Sequence, residues 1–117
     1  MDDGLEILRG ETRGKTVLLR IRGRLDAKTA PFLLQRATSY GDPGRNLVLN
    51  LSEITFLGSS GVGVLLAIVQ GFNDQSGSVR LVAPSAAVTS VVKLLNLDRF
   101  LSIDATEDAA LAAIAAR

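Results

Sequence analysis

Short apolar runs rich in branched side chains alternate along this chain with longer segments whose apolar residues recur at helical spacing. An all-helical bundle or an all-strand sandwich serves only one of those periods, so the pattern predicts a sheet with helices packed on it. Residues 5–8 and 16–21 flank a polar turn containing Gly14 and read as an antiparallel hairpin. "NLVLNL", residues 46–51, and "SVRLVA", residues 78–83, have the unbroken apolar character of strands buried on both faces, and residues 101–103 read as a short last strand. The gaps before the later strands need crossovers, which makes those strands parallel. The expectation is an α/β fold, a single domain over residues 1–117. Its mixed sheet has roughly four to five strands, an N-terminal hairpin and then parallel strands, with about four helices.

The helices fill the gaps. The first follows "LDAKTAP", with Thr29 placed to cap it and Pro31 in the first turn, where an amide has no intrahelical partner to lose. It stops before "YGDPG" at residues 40–44. The second runs from the serines at 59 and 60 to about residue 73, with Val62, Leu65, Leu66, Val69 and Phe72 on one stripe. Val64 and Ile68 fall off that stripe, and a helix apolar on more than one face is either deeply buried or has surface to spare for a partner. The third covers residues 85–96, with Val88, Val91, Val92 and Leu95 inward. The fourth starts at Thr106, has Glu107 and Asp108 in its electropositive first turn, and buries Leu111 and Ile114.

Composition narrows the chemistry. A chain of 117 residues that is 47% hydrophobic can build one core of useful size. Its 13 basic and 12 acidic residues leave a net charge of +1, with no block of either sign, so neither nucleic acid nor a membrane surface is an expected partner. "MDDGLEILRG" lacks the basic start and apolar centre of a signal peptide, and no apolar run approaches the ~18 residues that span a bilayer, which points to the cytoplasm. There is no cysteine and no histidine. Disulfides, thiolate or imidazole metal sites and imidazole-relayed triads are therefore unavailable, and the expectation is no catalytic residue, no metal and no cofactor.

"LGSSGVG", residues 57–63, joins a strand to a helix, the place where open α/β sheets hold ligands and chemistry. A phosphate-binding P-loop needs Gly-Lys-Ser/Thr, yet Gly63 is followed by Val64 and the next lysine is Lys93. A dinucleotide fingerprint would put its third glycine at Leu66. A nucleophile elbow would need glycine at Val62 and a histidine to activate Ser60. Two readings of the serines remain. One is a helix cap. The other is a hydroxyl that glycines leave open to a modifying enzyme, where a phosphate would meet free amides and the positive helix end.

The stretch "NLVLNLSEITFLGSSGVGVLLA", residues 46–67, resembles the core of the STAS domain, the family of bacterial anti-sigma factor antagonists. "IRGRLDAKTAP", residues 21–31, is similar to that family's entry to its first helix, and residues 79–111 resemble the remainder. The resemblance implies a binding protein without catalysis. In its unphosphorylated form it would hold an anti-sigma factor, often a serine kinase, and so release a sigma factor; phosphorylation ends the interaction and a phosphatase restores it. By motif position the phosphorylated residue is Ser60, and Asp26, Gly58, Ser59, Ser60 and Gly61 are the expected partner-binding residues of a monomer or weak dimer. Two positions depart from the pattern: Gly58 stands where the family commonly has aspartate, and Arg24 where it often has an acidic residue. Gly58 also suits a tight turn, and Asp26 also suits a helix cap. The other open reading is a STAS scaffold or sensor module that assembles with proteins or binds a small ligand without being phosphorylated.

Overall fold

The computed structural model describes residues 4–116. In chain order its elements are β1 (Leu5–Arg9), β2 (Thr16–Leu25), α1 (Ala30–Thr38), β3 (Asn46–Leu57), α2 (Ser59–Asp74), β4 (Ser78–Val82), α3 (Ala86–Leu94), a 3-10 turn (Leu97–Arg99), β5 (Ser102–Asp104) and α4 (Glu107–Ala115). The strands form one sheet in the order β1-β2-β3-β4-β5. β1 is antiparallel to β2, and every later neighbour is parallel. The expected hairpin and parallel crossovers are thus both present.

A sheet that grows in one direction by right-handed crossovers sends each connecting helix to the same face. α1, α2 and α3 do lie together: their buried Leu33, Leu65, Ile68, Val88 and Val92 share one core with Val17, Leu19 and Ile21 of β2 and Leu47, Leu49 and Leu51 of β3. α4 follows the last strand and is free of that constraint. It crosses the opposite face, where Ala110 meets Leu18, Val48 and Val82, with Leu111 and Ile114 packed at the edge.

Several boundaries differ from the sequence expectation for identifiable reasons. β3 does not stop at Leu51 but continues through "SEITF" to Leu57. Its pairing with β2 slips twice, between Arg20 and Arg22 and between Gly23 and Arg24, each time with an extra residue on β3. These bulges turn a spacing of three into one inward face, so Leu51, Ile54 and Leu57 are all buried and the alternation used to find strands is lost. On α2, Ile68 belongs to the buried face, while Leu66 and Val69 lie at its border. α3 ends at Leu94, so Leu95 is in the following turn and 52% exposed instead of inward. Leu111 and Ile114 are only partly covered, because the small Ala110 is the residue that α4 sets into the sheet.

Candidate functional site

Parallel pairing of β2 and β3 places Leu25 opposite Leu57, so the loops that follow these strands emerge side by side. The Gly58 amide donates to the Leu25 carbonyl at 3.0 Å and ties the two together.

The first loop is organised by Asp26. Its Oδ1 accepts from the amides of Lys28 at 3.0 Å and Thr29 at 3.1 Å, which folds the chain into a turn leading to α1. Thr29 precedes α1 as expected, yet its side chain does not cap the helix. Its buried hydroxyl donates to the Arg24 carbonyl at 2.7 Å and accepts from the Asp26 amide at 2.9 Å, closing the loop on itself. Desolvation opposes ionisation of Asp26, but the amide bonds from Thr29 and Lys28, the Thr29 hydroxyl and the Arg24 charge outweigh it and hold the carboxyl below its ordinary range. Arg24 lies 3.6 Å from that carboxylate and stacks over the Phe56 ring, 4.3 Å from its centroid. Sequence patterns do not reveal this cation–aromatic pair, because Phe56 falls in a stretch without strand alternation. Arg24 stands out there only as a departure from the family pattern.

The second loop begins α2. Gly58 is the residue before the helix, with φ −96° and ψ 179°, an extended conformation open to any residue. A Cβ there would sit 3.1 Å from the edge of the Phe56 ring, which is 39% exposed and can give way. Glycine is therefore not demanded by backbone geometry at 58. It is demanded at 61, where a Cβ would lie 2.7 Å from Leu57 Cδ1 and 2.8 Å from the Leu25 carbonyl oxygen. Gly61 is buried, and it lets the first turn of α2 settle onto the end of β2.

Ser59 and Ser60 are the first two residues of α2, and both are exposed. Neither caps the helix, since the capping position belongs to Gly58 and no side chain accepts there. Among the described residues neither hydroxyl is engaged by another side chain. The helix begins with the Val62 amide donating to the Gly58 carbonyl at 3.0 Å, so the amides before it point outward without intrahelical acceptors. A phosphate on this turn would meet those amides and the positive end of a helix spanning Ser59–Asp74. The structure thus brings Asp26, Gly58, Ser59 and Ser60 to one end of the sheet, with Gly61 directly beneath them. Among the described residues no cluster of acidic side chains suits a metal ion, and no helix is long and apolar enough to cross a membrane.

Strand order, crossover pattern and the loop pair at the ends of β2 and β3 define a class of small α/β domains, and comparison with known proteins says which. The STAS domain family model matches residues 9–110, and the chain belongs to that family. An anti-sigma F factor antagonist of Lysinibacillus sphaericus is 27% identical over 99 residues, covering 83% of this chain and 84% of the relative. The crystal structure of an anti-sigma factor antagonist from Mycobacterium paratuberculosis superposes with a TM-score of 0.81 at 29% identity, covering 94% of this chain and 93% of that one. The Bacillus cell fate determinant SpoIIAA in its phosphorylated form has the same fold, with a TM-score of 0.70 at 21% identity, covering 93% of this chain and 99% of that one.

Proposed function

We propose that this protein is an anti-sigma factor antagonist whose unphosphorylated form binds an anti-sigma factor and so frees a sigma factor, and that phosphorylation of Ser60 by a partner kinase ends the interaction until a phosphatase reverses it. The observation that carries this reading is the display of Ser59 and Ser60 with no structural role. The capping position is already taken by Gly58, so the cap explanation does not account for either hydroxyl. Relatives named as anti-sigma factor antagonists support the general role, and a related fold is known in a phosphorylated form.

The partner surface comprises Asp26, Gly58, Ser59 and Ser60, Arg24 stacked on Phe56, and the exposed positions of the next turns of α2. Gly63 lies on that exposed side, and among the described residues a Cβ there would meet nothing within 4 Å. An exposed glycine inside a helix costs about 0.5–1 kcal/mol against alanine, and no neighbour among the described residues calls for it. Close approach of a partner backbone supplies the reason. A phosphate on Ser60 would be tolerated by the fold, because α2 is stabilised by negative charge at this end, but it would place charge in a desolvated contact and expel the partner. The switch acts on the complex.

Amide shift mapping with a purified anti-sigma factor tests the surface. Perturbations are expected in residues 24–29 and 56–67; shifts confined to residues 85–116 would contradict it. Co-purification of a transporter or a large assembly, with no kinase-like anti-sigma factor, would favour the scaffold reading instead.

A further inference from the structure

Two groups of arginines stand out among the described residues. Arg20, Arg22, Arg24 and Arg80 each have a carboxylate partner, in Glu107, Glu53 with Glu6, Asp26 and Asp104. At the other end of the sheet, where β2 and β3 begin, a second group converges on one aromatic ring. The Arg36 Nε donates to the Tyr40 hydroxyl at 3.3 Å. The Arg9 guanidinium lies over the Tyr40 ring, 5.4 Å from its centroid. Arg45 adds a third charge close enough to act on the same phenol.

Their gathering follows from topology. Arg9 ends β1 and faces the side that carries α1; Arg36 lies in the last turn of α1, and Arg45 directly precedes β3. Arg13 and Lys15 occupy the adjacent hairpin turn, where the Lys15 ammonium comes within 3.4 Å of the space beside Gly44. Among the described residues Arg9, Arg13, Lys15 and Arg36 make no ion pair, and Arg45 has only the 72%-exposed Asp42 at 3.4 Å. Among the described residues Glu11 and Asp74 are the other carboxylates near this end, and neither forms an ion pair with these cations. Two guanidiniums without a carboxylate, Arg9 and Arg36, and a third whose only carboxylate is exposed, Arg45, repel one another around one phenol, and an incoming anion relieves that repulsion.

We propose that this end of the domain, with Tyr40 at its centre and Arg9, Arg36 and Arg45 around it, is a second docking site that takes a carboxylate-rich segment of a protein partner. The cations lie on three separate segments of an outward-facing surface, which suits repeated charges along an extended chain better than one small anion. Guanidiniums bind carboxylates through paired N–H donors, and the Tyr40 hydroxyl supplies a donor between them. Because the site lies at the opposite end of β2 and β3 from Ser60, its occupant and the partner at the serines can be bound together.

Tyr40 is the sole tyrosine and tryptophan is absent, so tyrosine emission reports this site alone. Titration of the full chain with an oligo-glutamate peptide is expected to change that emission saturably and reversibly with salt. The double variant Arg9→Gln/Arg36→Gln should weaken the peptide by about tenfold or more, and Arg45→Gln by less, while Arg22→Gln should bind as the wild type does. Unchanged melting temperatures establish that the variants are folded; should the double variant unfold, Arg45→Gln decides. Equal peptide affinity in wild type and in the folded double variant, or no emission change at low salt, overturns the proposal. Binding of inorganic pyrophosphate or of phosphatidylserine vesicles with none of the peptide overturns the assigned partner class.

Discussion

The two faces of the sheet are held by different physics. On the face of α1, α2 and α3, the side chains of β2 and β3 that point inward are fully buried aliphatics, met by Leu33, Leu65, Ile68 and Phe72 from the helices. On the other face α4 sets Ala110 against Leu18, Val48 and Val82 and pairs its Glu107 with Arg20, while elsewhere the sheet presents charges: Arg22 to Glu6 and Glu53, and Arg80 to Asp104. Close packing fixes side chains in one arrangement, whereas exposed ion pairs contribute little and tolerate rearrangement. The contrast shows why the serines stand where they do. α2 is anchored along its length by the packed face, so its first turn is a rigid platform for Ser59 and Ser60.

The largest effect should come from breaking the packed face. Leu65 is 1% exposed and lies in the first half of α2; Leu65→Ala is expected to lower unfolding free energy by about 2–5 kcal/mol in urea melts. A loss below about 0.5 kcal/mol would mean that α2 is not held by volume packing.

A smaller effect is expected where charge fastens α4. Arg20 donates to Glu107 at 2.8 and 2.9 Å, and the Asn50 amide nitrogen adds a bond at 2.7 Å. The Arg20 hydrogen bonds lead in holding the Glu107 carboxyl below its ordinary 4.5; desolvation opposes them, and the Asn50 bond and the Arg20 charge add to them. A carboxyl whose folded-state value is lowered contributes stability above its unfolded value and loses it as pH falls through the folded one. Glu107→Gln should therefore cost about 1 kcal/mol near neutrality and flatten the decline of stability below about pH 4.5. An unchanged acid limb in the variant would remove Glu107 from that role. The smallest effect belongs to Arg22, whose side chain is 54% exposed: Arg22→Gln should leave the melting temperature unchanged, and a clear drop would show that the open face is more tightly held than its exposure implies.

This contrast also marks what is legible in the chain. The buried strands, the hairpin at Gly14 and the crossovers are local patterns, and they can be read directly. The second half of β3 cannot, because its two bulges replace alternation by a spacing of three at Leu51, Ile54 and Leu57. Leu95 is misplaced by periodicity, since helical spacing continues past the point where α3 ends. At the site, residue types locate the serine loop, yet only the backbone shows that Gly58 takes the capping position and that glycine is required at 61. The ring of cations at Tyr40 is invisible to a search for charge blocks, because residues 9, 36 and 45 meet only through the fold.

The proposed switch is Ser60, presented by the packed first turn of α2. Its most direct measurement is intact mass and site mapping after wild type and Ser60→Ala are incubated with the cognate kinase and ATP, with anti-sigma factor binding assayed before and after. The expected result is a single phosphate on the wild type at Ser60 and loss of its partner, with Ser60→Ala unlabelled and still bound. Equal labelling of both proteins, labelling only at Ser59, or a phosphorylated wild type that keeps its partner would contradict it.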